Sequence, residues 1–209
     1  MIRKIGWVVM MVFAAIIAAY AIAVLVVPTM RAPFLQQRFI TMPLAATLHL
    51  AGAAVALVVG PLQHSAHLRG RFLNMHRWTG RAYVVAVLFG GAAALRLAPV
   101  SQGGLPAHVG FGLLAVLWLL ATGQAYRYIR AGDQASHRRW MTRSYALTFA
   151  AVTLRIYLPL SQVVDIPFEP AYQTIAWLCW VPNLILAEWL ILRRYVTAPM
   201  PAPDSIVAA

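Results

Sequence analysis

The chain has 209 residues, 62% of them hydrophobic and only 11% charged, and its formal net charge is +12. Soluble domains average about 25% charged residues, so a soluble globular fold is excluded. A nucleic-acid-binding arm is excluded too, because the basic residues are spread along the chain rather than gathered in one patch.

Six apolar runs approach the length of about 20 residues that a helix needs to cross a bilayer, at roughly 5–27, 43–62, 80–99, 107–126, 142–160 and 172–192. In lipid, a spanning segment must satisfy its own backbone polar groups, which makes these runs helices. The expected fold class is all-α: one polytopic domain over 1–195 with six transmembrane helices.

The first run follows Arg3 and Lys4. It is longer than the signal-peptide core of about 7–15 residues, so it reads as an uncleaved anchor. The second carries His49 inside the otherwise apolar stretch "PLAATLHLAGAAVALVVG" and ends near Gln63. A basic loop with His64 and His67 leads to "HRWTGRAY" at His76, where the third run begins; Arg96 and Pro99 close it. The fourth carries His108 after Pro106 and ends near Gln124. The phrase "HRRWMTRSY" at His137 opens the fifth, which holds Arg155 and Pro159. The loop "SQVVDIPFEPAY", with Asp165 and Glu169, reads as solvated. In the sixth run the lone Cys179 has no intrachain disulfide partner and reads as packing, while Glu188 is expected to pair with Arg193 or Arg194. The Ala/Pro-rich tail at 196–209 is expected to be disordered.

All lysines and arginines except Arg31, Arg38, Arg96 and Arg155 fall beside the ends of the runs that face the termini. Under the positive-inside rule this asymmetry places both termini in the cytoplasm. The expected location is therefore a bacterial inner membrane, with the lipid bilayer as the partner for the charge.

The two His-Trp phrases belong to a larger repeat. His49 precedes His76 by 27 residues and His108 precedes His137 by 29. In both phrases Trp is followed by Arg three residues later and Tyr five residues later: Trp78, Arg81, Tyr83 and Trp140, Arg143, Tyr145. Two hairpins of the same orientation imply a pseudo-two-fold axis along the membrane normal, with a four-helix core made by the second to fifth helices. That symmetry brings His49 near His108 at one end and His76 near His137 at the other.

Paired imidazoles, one pair per leaflet, suit bis-imidazole ligation of b-type haem, up to two per chain. The candidate iron ligands are His49, His108, His76 and His137. Arg96 and Arg155 are candidates for the haem propionates, through bidentate hydrogen bonds. Plainer readings stand beside these. His76 and His137 sit where amphipathic residues anchor helices at the interface, and Arg96 and Arg155 can snorkel to headgroups. His64 and His67 have no counterpart in the second hairpin and read as solvated loop residues; the alternative for them is a metal site of imidazoles together with His76 and His137.

"GPLQ" at 60–63, "HRWTGRAY" at 76–83, "GFGLLAVLWLLATGQAYRYIR" at 110–130 and "HRRWMTRSYALTFAAVTLRIYLP" at 137–159 resemble the bacterial family of predicted membrane proteins termed domain of unknown function 2306. That resemblance spans roughly 45–195 and implies no particular activity. In plan alone, the chain is also similar to the ascorbate-reducible b-type cytochromes, which carry four ligand histidines on the central four of six helices. That likeness implies His49 with His108 and His76 with His137, although His76 and His137 stand at the very start of their helices here.

The function expected from these readings is haem-based electron transfer across or within the membrane, as a membrane oxidoreductase or electron-transfer component, with quinol as a candidate redox partner. The alternative is a non-redox accessory or assembly subunit of a larger membrane complex. A small transporter is the third reading; it is disfavoured by the lack of obvious Gly/Pro-broken spans bearing acidic ion ligands.

Overall fold

The computed structural model describes residues 2–196, with side chains over 6–193. The described residues form helices without a strand: α1 (Ile2–Val26), α2 (Pro33–Thr41), α3 (Pro43–Gln63), α4 (Ala66–Arg71), α5 (Leu73–Leu97), α6 (Gly104–Arg130), α7 (Gln134–Thr148), α8 (Ala150–Val163), α9 (Phe168–Leu178) and α10 (Val181–Val196). They provide six spans long and apolar enough to cross a membrane. The expectation for the tail falls outside the described residues, apart from Val196, which closes α10. With an even number of spans, α1 begins and α10 ends at the same end of the bundle. That end, rich in Arg and His, is called the basic end below.

Local chemistry sets the helix starts. Pro33 and Pro43 open α2 and α3, where a missing N–H costs nothing. Asp133 caps α7, its carboxylate accepting the Ser136 N–H at 2.9 Å and the Ser136 hydroxyl at 2.5 Å. Those bonds, led by the hydroxyl, hold the Asp133 pKa below the ordinary carboxylate range.

Two spans that read as continuous in sequence are interrupted. Pro182 has no N–H to give the Leu178 carbonyl, and its ring crowds that oxygen, so the sixth span breaks at Cys179–Trp180 between α9 and α10. The fifth breaks at Phe149, whose carbonyl accepts from both Val152 and Thr153. The Thr148 hydroxyl also bonds back to Ser144 O at 3.0 Å, a habit that bends helices. Asn183 stitches the two breaks together, its amide donating to Cys179 O and to Thr153 Oγ1, each at 2.9 Å.

Small residues set the spacing of the bundle. Gly52 packs so closely on α5 that an added Cβ would lie 2.5 Å from Ala86 O and 2.9 Å from Gly90 Cα. Gly52, Ala56 and Gly60 recur every four residues on one face of α3, opposite Ala86 and Gly90. This is the small-residue pattern that lets membrane helices touch backbone to backbone. Ala14, Ala18 and Ala21 of α1 pack likewise against Ala54, Leu57 and Val152. Large apolar side chains such as Ile16, Leu88, Phe89, Leu120 and Ile185 face outward, as a lipid-facing surface requires.

The short helix α2 roofs the end opposite the basic one. Arg31 donates to Val24 O at 2.9 Å and Leu25 O at 3.0 Å, satisfying carbonyls left open at the end of α1. Its guanidinium also lies 3.8 Å from the ring centre of Phe39 on α2. Phe34 completes the roof against Phe168 and Tyr172, with ring centres 6.3 and 6.4 Å away.

Candidate functional site

Beneath that roof lies a cavity of about 690 Å³, lined by residues of α1, α3 and α5 through α9. Its lining is mostly apolar, but Arg38, His49 and Arg155 all border it, with Tyr20, Trp118, Thr148 and Tyr172. The Arg155 guanidinium donates to Ala151 O at 3.0 Å and lies 5.4 Å from the Tyr20 ring centre. Among the described residues no carboxylate stands against Arg38 or Arg155. Two fixed cations thus meet an apolar space without an anion of the protein.

His49 has a defined tautomer. Its Nδ1 lies 3.1 Å from Gly90 O, an atom that can only accept, so Nδ1 carries the proton. In the neutral ring Nε2 is then the bare nitrogen. This is how metal-binding histidines are commonly oriented, with the other ring nitrogen donating to a backbone carbonyl.

The other predicted residues are distributed as follows. His108 is not part of the cavity lining; its Nε2 lies 3.0 Å from Ser101 O, just ahead of its own helix. Arg96 borders a separate, smaller pocket of about 370 Å³ against Thr41–Leu44 and Phe89. At the basic end His137 repeats the arrangement of His49, with Nδ1 2.9 Å from Ala125 O. His76 lies near enough to His137 for their charges to interact, and its Nδ1 is buried without a hydrogen-bond partner. His64 Nδ1 lies 3.1 Å from Gly60 O, and His67 is exposed. Among the described residues no three or more His, Cys, Asp or Glu side chains are grouped to hold a metal ion. Glu188 pairs across helices with Arg143, at 2.5 and 2.8 Å, while Arg193 lies over Trp189.

The repeated phrase has one shared geometry. Arg81 lies 4.7 Å over the Trp78 ring and Arg143 lies 4.6 Å over Trp140, one helical turn apart in both cases. Tyr83 and Tyr145 both turn inward and are 0% and 4% exposed. Gln63 of "GPLQ" donates to Thr79 of "HRWTGRAY" at 2.7 Å, tying α3 to α5.

Sequence reasoning missed that Arg38 borders the cavity. Arg38 was visible only as one of four cations on the sparsely charged side. Its role depends on α2 folding over the bundle, which no apolar run announces.

A family model described as Predicted membrane protein (DUF2306) matches residues 46–191, more than half of the chain. The chain belongs to that family. Nothing among curated proteins or solved structures matches it. In this DUF2306 protein the matched stretch contains His49, Trp118, Thr148, Arg155 and Tyr172. Tyr20 and Arg38, which complete the cavity, lie ahead of it.

Proposed function

We propose that the cavity binds an amphipathic acid, and that this occupant is b-type haem held by His49, making the protein an electron-transfer component of the membrane. One observation supports the reading above the others: the imidazole of His49, Arg38 and Arg155 all border one apolar cavity with no carboxylate opposite. Fixed cations in a low-dielectric space call for a counter-charge. Haem b carries two carboxylates, and its iron accepts a neutral imidazole. The volume of about 690 Å³ lies within the roughly 300–1,000 Å³ of cofactor pockets.

His49 would hold the iron through Nε2, and Arg38 and Arg155 would hold the acid groups. When bound, haem supplies reversible one-electron chemistry, with a quinol or similar lipid-soluble carrier as the redox partner. His108 would have to turn away from Ser101 to become the second ligand. Arg96 would serve a propionate only in a different pocket. His76 and His137 are the candidates for a second haem at the basic end. The asymmetry of charge supports a bacterial inner membrane with both termini cytoplasmic.

Absorption spectra of protein purified from haem-supplied cells, oxidised and then reduced with dithionite, test this. A Soret band that sharpens on reduction and is lost or shifted in His49→Ala is expected. Colourless protein from such cells would falsify the haem reading. Extraction of a long-chain carboxylic or phosphate acid from that colourless protein would still support the wider class.

A second reading, a small transporter, is favoured by one finding. The breaks at Phe149 and Cys179–Trp180 are adjacent, joined by Asn183, and Ala150 and Cys179 line the cavity. Interrupted helices beside a cavity are where secondary transporters hold their cargo. Vesicle uptake of the extracted acid would favour this reading over electron transfer.

A further inference from the structure

Named packing contacts fill most seams of the cavity wall. Between α1 and α3, Ala14, Ala18 and Ala21 pack on Ala54 and Leu57. Between α3 and α5, Gly52 lies against Ala86 and Gly90. Phe111 of α6 and Leu158 of α8 both pack on the cluster that holds Tyr172 of α9. The seam between α1 and α8 is different. Val152 joins the alanines of α1 at its lower end. One turn nearer the roof, the two helices face each other through the Arg155 guanidinium and the Tyr20 ring, 5.4 Å from its centre.

Exposure singles out the same seam. Of the residues that border the cavity, Ile16, Tyr20 and Pro159 are exposed, and the others are buried or half-buried. All three belong to α1 and α8, and all lie within spans long and apolar enough to cross a membrane. Tyr20 stands six residues before the end of α1 at Val26, and Arg155 eight before the end of α8 at Val163. At 1.5 Å per residue they lie about 9 and about 12 Å in from the roof end, within a hydrocarbon core of about 30 Å. What surrounds the seam at that depth is lipid. The aqueous end, by contrast, is covered by α2, where Phe34 meets Phe168 and Tyr172.

We propose that the cavity is filled sideways from the lipid, between α1 and α8, in the half of the bilayer nearer the roof. The Tyr20 ring is the movable side of this entrance, and Arg155 is the group that draws the occupant in. The ligand class is therefore an acid dissolved in the membrane, an apolar body with an anionic group, and not a small anion taken from water. Such molecules concentrate in lipid because each buried methylene favours it. Arg155 makes one hydrogen bond, from Nη1 to Ala151 O, and its other guanidinium N–H groups have no partner among the described residues. An arriving acid group exchanges the contact with the Tyr20 ring for charge-assisted hydrogen bonds, which are the stronger interaction. This rests on the reading of the cavity as an acid site, and haem is one acid of the class.

Full-length protein expressed without added haem and placed in liposomes tests the route. The probe is stearic acid brominated at mid-chain, since bromine quenches tryptophan on contact. Trp118 borders the cavity, so quenching present in the wild type and absent from Trp118→Phe reports arrival inside. In stopped-flow mixing, the acid should quench Trp118 at least tenfold more than its methyl ester does. Tyr20→Ala and Ile16→Ala, which widen the entrance, should each speed that quenching at least threefold. Tyr20→Phe, which keeps the ring, should restore the wild-type rate. Phe168→Ala loosens the roof without touching the cavity lining and should change the rate less than twofold. A rate indifferent to both entrance variants, or raised chiefly by Phe168→Ala, would overturn the proposal. Equal quenching by acid and ester would instead overturn the acid reading beneath it, and the proposal with it. Haem is read separately by absorption, so a colourless protein that shows the expected rates keeps the lipid entrance and loses only haem.

Discussion

Tyr83 and Tyr145 hold equivalent places in the two copies of the repeated phrase, and their rings meet over Gly60 of α3. Gly60→Ala would drive a methyl group into the Tyr145 ring, which is buried and has no open side to turn into. The expected loss is about 1–3 kcal/mol, typical of overpacking. Gly52→Ala should cost at least as much, because the obstruction is the backbone of Ala86 and Gly90 and cannot rotate aside. Gly123, with nothing within 4 Å of an added Cβ, is the control. Gly123→Ala should be neutral or stabilising by up to about 1 kcal/mol through helix propensity. Unfolding in mixed detergent micelles measures all three.

Arg143 is engaged twice, over Trp140 and by two hydrogen bonds to Glu188. The pair fixes α10 against α7, and the two side chains are 22% and 40% exposed. That partial exposure places its worth between a surface pair and a buried one. Glu188→Gln should destabilise by about 1–2 kcal/mol by leaving a charge unpaired. Adding Arg143→Gln should recover part of the loss. A double-mutant cycle that gives no coupling would show the bridge to be idle.

The six spans and their order were legible because apolar length alone announces a bilayer crossing. The repeated phrase was legible for a related reason: Trp-Arg-Tyr at fixed spacing records the same cation–π contact made twice. The breaks at Phe149 and Cys179 were not legible, because Pro182 can occupy a first helical turn as readily as it interrupts a span. His49 stood out in the sequence as a costly polar group in an apolar run, and it borders the cavity. That Arg38 borders the same cavity was not legible, since that depends on a nine-residue helix returning over the bundle end. The proposed symmetry of His49 and His108 rests on sequence spacing, whereas ring orientation depends on which carbonyl lies within reach. Gly90 O leaves Nε2 of His49 bare, while Ser101 O takes Nε2 of His108.

The cap on α7 gives a pH dependence of definite sign. Hydrogen bonds to Ser136 depress the Asp133 pKa in the folded protein, so the unfolded chain takes up a proton first as acid is added. The stabilisation is complete above the ordinary carboxylate pKa and is lost as pH falls through the lower folded value. Amide exchange at Ser136 should therefore stay slow from neutral pH to the ordinary carboxylate range, after correction for intrinsic rates, and accelerate below it. Asp133→Asn keeps a capping oxygen without a titrating proton, and its protection should not change over that range.

The asymmetry of charge predicts the orientation. A phosphatase or fluorescent reporter fused after Ala209 should report the cytoplasm, and one inserted within 161–171 should report the opposite side. Moving the balance should also move the topology: neutralising Arg127, Arg130, Arg138 and Arg139 together removes much of the basic charge at the facing ends of α6 and α7. Mixed orientation of that variant is the expected result. A uniform topology after such a change would mean that the other basic segments suffice.

His49 and His108 should separate cleanly in their effect on the cavity. His49 borders it and presents a bare Nε2, whereas His108 lies outside the lining and has its Nε2 against Ser101 O. His49→Ala should therefore remove a ligand contact and leave an apolar hole, lowering the amount of bound ligand at least tenfold. His108→Ala should change the bound amount by less than about twofold, since an exchange worth under about 0.4 kcal/mol is all that a group outside the cavity need contribute. Arg155→Ala should weaken acid-bearing ligands but not an uncharged analogue of the same shape, because only the former use its charge. Ligand content per chain, measured after mild extraction from each purified variant, decides between the two imidazoles. Equal losses in the two histidine variants would restore the paired-ligand arrangement and require His108 to leave Ser101 when the cavity fills.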